Sequence, residues 1–235
     1  MPTRLLIHGA NGRMGRAVRR IAVTDERFAI AGVVSRSTPE VRVIDGIPFF
    51  AANELSGVPE FDVCIDFSLP EAFDGILAEC AKRGAALVSG TTGLSDAQRA
   101  TLDAASAKIP LIWASNFSLG VALLHQLVEV AATRLPGWDC DIVESHHVHK
   151  KDAPSGTALT LGEAAKQGGA DPHYASLRAG DIVGEHLVQF SGQGERIELI
   201  HRANDRDIFA RGALHAAAWL HGRPPGHYRV ADTLG

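Results

Sequence analysis

Cysteine is scarce in this chain. Its 235 residues include three, Cys64, Cys80 and Cys140, odd in number, far apart and never in a Cys-x-x-Cys pair. That pattern argues against a disulfide framework or a structural zinc knot and suits a reducing cytoplasm. A basic excess is missing too. Lys and Arg total 23 against 27 for Asp and Glu, a formal net charge of −4, whereas nucleic-acid binders normally carry a basic surplus or stripe. No nucleic-acid partner is expected. Nor is there an unbroken apolar run of membrane length. Residues 109–128 lack Asp, Glu, Lys and Arg, but Pro110, Ser115, Asn116, Ser118, Gly120, His125 and Gln126 interrupt them. The segment is too polar to cross lipid as one helix and reads as a buried strand, a functional loop and a helix start; no membrane partner is expected. After Met1 the chain enters a strand-like run without the charged, apolar and small-residue regions of a secretory leader. Internal repeats and low-complexity tracts are absent. Hydrophobic residues at 46% and charged residues at 21% exclude disorder and collagen-like repeats. At about 150 residues per domain, the length allows one large α/β unit or two modest domains.

The first half alternates apolar strands with helical patterns. Residues 5–7 read as a strand leading to Gly9. Met14, Ala17, Val18, Ile21 and Ala22 then fall on one helical face, with Arg13, Arg16, Arg19 and Arg20 mostly outside it. Further strands are expected at 28–34, 63–67, 85–89 and 111–114. One helix spans 71–83 and stops at Gly84; another opens with Ser95 and Gln98 at capping-box spacing. This rhythm predicts βαβ units, hence a Rossmann-type, doubly wound parallel sheet. The second half differs. A long helical pattern (Val121, Leu124, Leu127, Val128, Ala131, Leu135) precedes a strand at 141–145. A helix begins near Pro154. Two β segments, 182–190 and 196–201, bracket Gly192-Gln193-Gly194. These predict a second α+β domain with a mixed or antiparallel sheet. A final helix at 207–220 has one apolar face.

Gly9-Ala10-Asn11-Gly12-Arg13-Met14-Gly15 is a G-x-x-G-x-x-G variant between the first strand and the first helix. Glycines let the backbone turn tightly against a pyrophosphate, and a helix N-terminus offers free N–H groups and a positive dipole. In that setting the pattern favours dinucleotide binding over a structural turn. The second strand ends at Val34-Ser35-Arg36, with no carboxylate for a ribose 2′-hydroxyl. Ser35 and Arg36 suit a 2′-phosphate, which predicts NADPH in preference to NADH; a merely solvated loop is the alternative. Gly90-Thr91-Thr92-Gly93 and Ala114-Ser115-Asn116-Phe117 follow later strands at the same edge, where small and hydroxyl-bearing residues allow close approach to a nicotinamide and its ribose.

Glu144-Ser145-His146-His147-Val148-His149-Lys150-Lys151-Asp152-Ala153-Pro154-Ser155-Gly156-Thr157 is the richest polar stretch. Three histidines within four residues first suggest metal, but neither helical i, i+4 spacing nor a cysteine partner is present, so no metal is expected. Beside Lys150 and Lys151 they make an electropositive pocket for an anionic substrate. Lysine supplies a charged donor and histidine titrates near neutral pH. Ser155, Gly156 and Thr157 start a helix whose N-terminus can cradle a carboxylate, although Ser155 also suits a simple cap.

With these residues in place, the chain resembles the 4-hydroxy-tetrahydrodipicolinate reductase (dihydrodipicolinate reductase) family of bacterial lysine and diaminopimelate biosynthesis. The matching segments are GANGRMGR from Gly9, DFSLPEA from Asp66, GTTGL from Gly90, ASNFSLGV from Ala114, ESHHVHKKDAPSGTAL from Glu144, AGDIVGEH from Ala179 and GERIELIHRANDRDIFARGAL from Gly194. They run in order across nearly the whole chain. The resemblance implies an NAD(P)H-dependent oxidoreductase that reduces 4-hydroxy-tetrahydrodipicolinate, a cyclic dicarboxylate, to tetrahydrodipicolinate with loss of water. By the same resemblance His146 is a proton donor/acceptor and Lys150 a proton donor, while His147, Gly156 and Thr157 contact substrate. Gly9, Ala10, Asn11, Gly12, Arg13, Met14, Ser35, Arg36, Gly90, Thr91, Thr92, Ala114, Ser115, Asn116 and Phe117 fall where the family holds its cofactor. It also implies a dinucleotide-binding domain at 1–117 and 207–235, a substrate-binding and oligomerisation domain at 118–206, a cytoplasmic homotetramer joined through the sheets of that second domain, and inhibition by pyridine-2,6-dicarboxylate.

Three departures from the family pattern stand out. Ser35 replaces a common acid, and Ser115 a common proline. The 37–61 segment is shorter than in many relatives, so a reduced edge strand is expected there. Two other readings compete. A non-catalytic NADPH-binding sensor leaves the His146–Lys150 cluster unexplained. Another two-domain NAD(P)-dependent dehydrogenase would need a nucleophile or base of its own, and no cysteine lies beside a suitable loop.

Overall fold

Strand β1 (Thr3–His8) buries Leu5, Leu6 and Ile7 completely, as a strand does when both faces of its sheet are covered. In the computed structural model, which describes residues 1–37 and 40–235, this strand lies at the centre of an eight-stranded sheet. Thr38 and Pro39, inside the segment expected to be short, lie outside the described residues. The chain divides into two compact units, Met1–Phe117 with Phe209–Gly235 and Ser118–Ile208.

In the first unit β1 is followed by α1 (Arg13–Ala22), β2 (Phe28–Ser35), the short strands β3 (Val43–Ile44) and β4 (Ile47–Ala51), β5 (Val63–Asp66), α2 (Pro70–Arg83), β6 (Ala86–Ser89), α3 (Asp96–Ala105) and β7 (Pro110–Trp113). The chain returns with α6 (Asp207–Leu220), whose residues from Phe209 onward belong here, and β12 (Gly226–Tyr228). Sheet order is β12-β7-β6-β5-β1-β2-β4-β3, parallel throughout except for the β3–β4 hairpin. Leu6, Cys64, Leu87 and Leu111 are register neighbours on one face. They pack with Phe73, Ile76 and Leu77 of α2 and Leu102 of α3. Local signals set the helix ends. Pro70 opens α2 where no donor is needed, and Gly84 closes it in the left-handed conformation at φ 66°. Ser95 and Gln98 form the expected capping box of α3. Strand β4 pairs with β2 over three residues only, and it, β3 and β12 are too short to show a period in sequence.

The second unit contains α4 (Leu119–Arg134), β8 (Asp139–His146), α5 (Gly156–Gln167), β9 (Pro172–Arg178), β10 (Gly184–Gly192) and β11 (Glu195–Ala203). Its sheet runs β11-β10-β8-β9, with β10 antiparallel to both neighbours and β8 parallel to β9. Sequence periodicity misses β9 because most of that strand is exposed and so lacks an alternating apolar face. Leu124, Val128, Leu161 and Ala165 from the helices cover Cys140, Ile142, Val188 and Phe190. On the opposite face Ala175, Val143, Leu187 and Ile200 form a row across all four strands. Residues 109–128 become β7, a loop and the start of α4, and among the described residues no helix is long and apolar enough to cross a membrane.

Close packing constrains α6. A Cβ added at Gly212 would sit 1.7 Å from the Phe117 carbonyl oxygen, whereas one at Gly57 would meet nothing within 4 Å. Gly212→Ala is therefore expected to destabilise the protein by about 1–3 kcal/mol through overpacking, and Gly57→Ala to be close to neutral. Urea unfolding midpoints of the two variants check this.

Candidate active site

Strand order in the first unit reverses at β1, with β2 and β4 on one side and β5, β6 and β7 on the other. Open α/β sheets hold ligands beyond the carboxyl ends of their strands at such a point. There Gly9 turns at φ 77°, the Ala10 N–H donates to the Val34 carbonyl at 3.0 Å, and the Gly12 N–H donates to the Gly9 carbonyl at 3.0 Å. A Cβ at Gly9 would lie 2.4 Å from the Phe67 oxygen, and one at Gly15 would lie 2.3 Å from the Gly9 oxygen. Only glycine fits either place. Gly12 is the N-cap of α1 and no side chain caps that helix, so its first N–H groups are available to an anion. A cleft of about 950 Å³ opens over the loop, lined by Gly9, Asn11, Gly12, Ser35 and Arg36 from the predicted set, with Asn53, Leu55 and Glu71 beyond it. Its glycine cradle and uncapped helix start fit the pyrophosphate of a dinucleotide.

The other predicted contacts of this unit are distributed unevenly. Ala10, Thr91 and Phe117 are buried, Met14, Gly90, Ala114 and Asn116 are half-buried, and Arg13, Thr92 and Ser115 are exposed. Ser35 is buried and donates its hydroxyl to the Ser37 carbonyl at 2.9 Å, while Arg36 is exposed. Beneath these loops lies a fully buried carboxylate that sequence reasoning did not single out. Asp66 meets His8 Nδ1 at 2.8 Å and accepts from the Ser68 N–H at 3.1 Å, and from the Ser89 and Thr91 hydroxyls at 2.8 Å each. Burial pushes the Asp66 carboxyl up, but the hydrogen bonds from His8, Ser68 and Ser89 outweigh it and hold the group below its ordinary value. The Thr91 carbonyl in turn accepts from Trp113 Nε1 at 2.8 Å.

In the second unit, the end of β8, the following segment and the start of α5 gather His146, His147, Lys150, Gly156 and Thr157. His146 is buried, His147, Lys150 and Thr157 are half-buried, and Gly156 is exposed. Ser155 caps α5, accepting from the Ala158 N–H at 3.2 Å, and its hydroxyl lies 3.1 Å from His186 Nε2. Glu144, with no exposed surface, is hydrogen-bonded to His146 Nδ1. It also accepts from the Arg178 guanidinium at 2.9 and 2.7 Å and from the Ser155 N–H at 3.3 Å. Lys150 Nζ pairs with Asp152 at 2.9 Å. The Nδ1 atoms of His147 and His186 are buried without a hydrogen-bond partner. Among the described residues, no group of three or more His, Cys, Asp or Glu is placed to hold a metal ion.

The electrostatics follow from burial and pairing. Burial pushes the Glu144 carboxyl up, but the hydrogen bonds from Arg178, Ser176 and His146 prevail and bring it down to about 2. Burial lowers the His146 imidazole by more than the Glu144 carboxylate raises it. Burial, then the proximity of His146, takes His186 down to about 4. The hydrogen bond from Lys150 holds Asp152 below its ordinary value. The cluster therefore contains a permanent anion, a permanent guanidinium, and imidazoles biased toward the neutral form.

Sequence reasoning assigned no role to Glu144, Arg178 or His186. A signal for Glu144 was present: on β8 the core-facing positions run Cys140, Ile142, Glu144, His146, and titratable side chains at two core-facing positions in a row mark chemistry rather than packing. Arg178 ends a strand that has no periodic signature and could be found only from the fold.

The description "Dihydrodipicolinate reductase, N-terminus" matches residues 3–117, and "Dihydrodipicolinate reductase, C-terminus" matches residues 120–234. The 4-hydroxy-tetrahydrodipicolinate reductase of Stenotrophomonas maltophilia strain K279a is 70% identical over 234 residues, covering 99% of this chain and 98% of that one. The enzyme of the same name from Xanthomonas campestris pv. campestris strain B100 is 67% identical over 233 residues, with coverage of 99% and 98%. A solved structure, the dipicolinate-bound dihydrodipicolinate reductase from Paenisporosarcina sp. TG-14, shares the fold at a TM-score of 0.85, 21% identity and full coverage of both chains. With both halves matched and two-thirds of its residues shared with such relatives, the chain belongs to the dihydrodipicolinate reductase family.

Proposed function

We propose that the protein catalyses the NAD(P)H-dependent reduction of 4-hydroxy-tetrahydrodipicolinate to tetrahydrodipicolinate and water, in diaminopimelate and lysine biosynthesis. The observation that carries this reading is the polar cluster of the second unit, where the Glu144 carboxylate binds both His146 and the Ser155 N–H at the start of α5, with Lys150 and Arg178 near the imidazole. A cyclic diacid needs a positive, donor-rich cradle, and Lys150 with the Gly156 and Thr157 helix start supplies one. His147, half-buried beside His146, is the further substrate contact in this proposal. Departure of a hydroxyl as water consumes a proton. Lys150 is the donor suited to give it, and His146, neutral when unliganded, takes or returns a proton through its Nε2 atom. When bound, the reduced nicotinamide supplies the hydride; the Gly9–Gly12 turn, α1 and the loops at Gly90, Thr91, Thr92, Ala114, Ser115, Asn116 and Phe117 hold the cofactor. Positioning rather than a covalent step supplies most of the acceleration.

NADPH is the preferred cofactor in this proposal. Arg36 lines the cleft where the second strand ends, and the strand-end run Val34-Ser35-Arg36 carries no carboxylate to pair with a ribose 2′-hydroxyl. Because the Ser35 hydroxyl is already given to Ser37, the 2′-phosphate falls to the Arg36 guanidinium. A homotetramer is also part of the proposal, since the row Ala175, Val143, Leu187, Ile200 leaves apolar side chains on the open face of the second sheet, Ile200 at 41% exposure. The three cysteines are free and buried, in keeping with a cytoplasmic setting.

Three outcomes are expected. With synthase-generated substrate, Lys150→Ala lowers turnover by at least ~10²-fold, the scale of a lost general acid; near-normal turnover removes lysine from the chemistry. Arg36→Ala raises KM for NADPH on the order of 10- to 100-fold, as for a lost charge-assisted contact, with little change for NADH; parallel saturation curves decide it. Leu187→Asp places a charge in the apolar row and shifts the sedimenting species toward smaller assemblies, and an unchanged mass would remove this face from the interface.

A further inference from the structure

We infer that Glu144 and Arg178 act as a positioning pair, Glu144 setting the ring orientation and tautomer of His146 and Arg178 tying the segment that carries Lys150 to the same carboxylate. The inference rests on the roles proposed above for His146 and Lys150. Neither Glu144 nor Arg178 is assigned to touch substrate or cofactor. Glu144 and His146 lie two residues apart on the core-facing side of β8, with the carboxylate hydrogen-bonded to the imidazole through Nδ1. An ionised carboxylate can only accept, so Nδ1 carries the proton and Nε2 remains the ring atom free to exchange one. The Nε2 atom has room because its neighbour on β10 is Gly184, where a Cβ would lie 3.0 Å away.

The guanidinium then extends this order to the lysine. Arg178 grips both carboxylate oxygens of Glu144, and its Nη2 also donates to the Asp152 carbonyl at 2.6 Å. Asp152 is the residue whose carboxylate holds Lys150 Nζ at 2.9 Å. A planar fork can hold a carboxylate with two hydrogen bonds and still donate to a backbone carbonyl; an ammonium cannot reproduce that arrangement. The groups facing His146 are Glu144 on its own strand, Arg178 from β9, the His186 ring from β10 at 5.3 Å, and Lys150 from the following segment. Of these, Glu144 is the anion that favours the imidazolium.

The test compares full-length Glu144→Gln, Arg178→Lys and His146→Gln variants with the parent. Nitrogen-15 NMR of the histidine rings reports the His146 tautomer without turnover; kinetics across pH, thermal midpoints and dipicolinate affinity complete the set. In the parent, His146 is expected to carry its proton on Nδ1. Glu144→Gln is expected to mix the two tautomers, to lower kcat about 10- to 100-fold with little change in KM, and to move the pH limb set by His146 to lower pH, because the anion favouring the charged ring is gone. Arg178→Lys is expected to lower kcat over the same range while leaving that limb in place, since the charge is kept. A Glu144→Gln protein with the parental tautomer, kcat and pH profile overturns the inference, even if its thermal midpoint falls. Should that variant not fold, a parental kcat in Arg178→Lys overturns it instead. Near-normal turnover in His146→Gln refutes the underlying role of His146, a result distinguishable from an impaired His146→Gln beside an unaffected Glu144→Gln.

Discussion

Among the described residues, each unit of this protein keeps one carboxylate wholly out of water, and the local architecture follows from the need to satisfy it. Removing a carboxylate from solvent carries a penalty of several kcal/mol even after the protein relaxes, and an unpaired one would simply take up a proton. Asp66 and Glu144 are both fully buried, and both are held below the ordinary carboxylate range once their hydrogen bonds outweigh burial. The donors that achieve this come from several elements at once. His8, Ser68, Ser89 and Thr91 bring the ends of β1, β5 and β6 to one point in the first unit. Arg178, Ser155 and His146 do the same for β9, α5 and β8 in the second.

Such convergence matters because ligand-facing residues lie on loops, which are usually the least fixed parts of a fold. The exposed ion pairs of this chain, such as Arg4 with Asp62 and Arg99 with Asp96, are screened by solvent and impose little order. A buried carboxylate with donors from several elements behaves differently, since moving any one loop would remove one of its charge-assisted hydrogen bonds, at a cost of about 1.5–3 kcal/mol. The Thr91 loop is held by its hydroxyl on Asp66 and its carbonyl on Trp113. The 146–155 segment is held at both ends by Glu144. Rigid placement of donors is what catalysis by orientation requires.

Much of the fold was legible in the sequence wherever one face of an element is buried. The parallel strands of the first unit, helices α1 to α6 and strands β8, β10 and β11 all show in apolar spacing and in Gly, Pro and Ser punctuation. Strand β9 does not, because its side chains are mostly exposed, and β3, β4 and β12 are too short to display a period. The candidate site divides in the same way. Residues recognisable by chemistry in a row, Gly9 to Gly15 and His146 to Thr157, could be named at once. Residues that act through space could not. Arg178 stands 34 positions from Glu144, and nothing in its own neighbourhood announces a partner. Ser35 shows the complementary limit: its identity suggested a phosphate contact, yet its hydroxyl is spent on the Ser37 carbonyl, a turn that composition does not foretell.

The second unit's core also says why a carboxylate is there at all. Position 144 continues a core-facing series with Cys140 and Ile142 on β8, and Val188 and Phe190 occupy the matching side of β10. Replacing a buried ion pair by well-packed apolar residues is often neutral or stabilising by about 1–4 kcal/mol, so folding alone would favour an aliphatic pair at 144 and 178. Stability therefore does not explain Glu144 and Arg178. What an aliphatic pair cannot do is accept the Nδ1 proton of His146 or hold the Asp152 carbonyl beside Lys150. The charge is concentrated where β8 gives way to the cationic segment and absent from the rest of the same apolar layer, which places its advantage in chemistry rather than in packing.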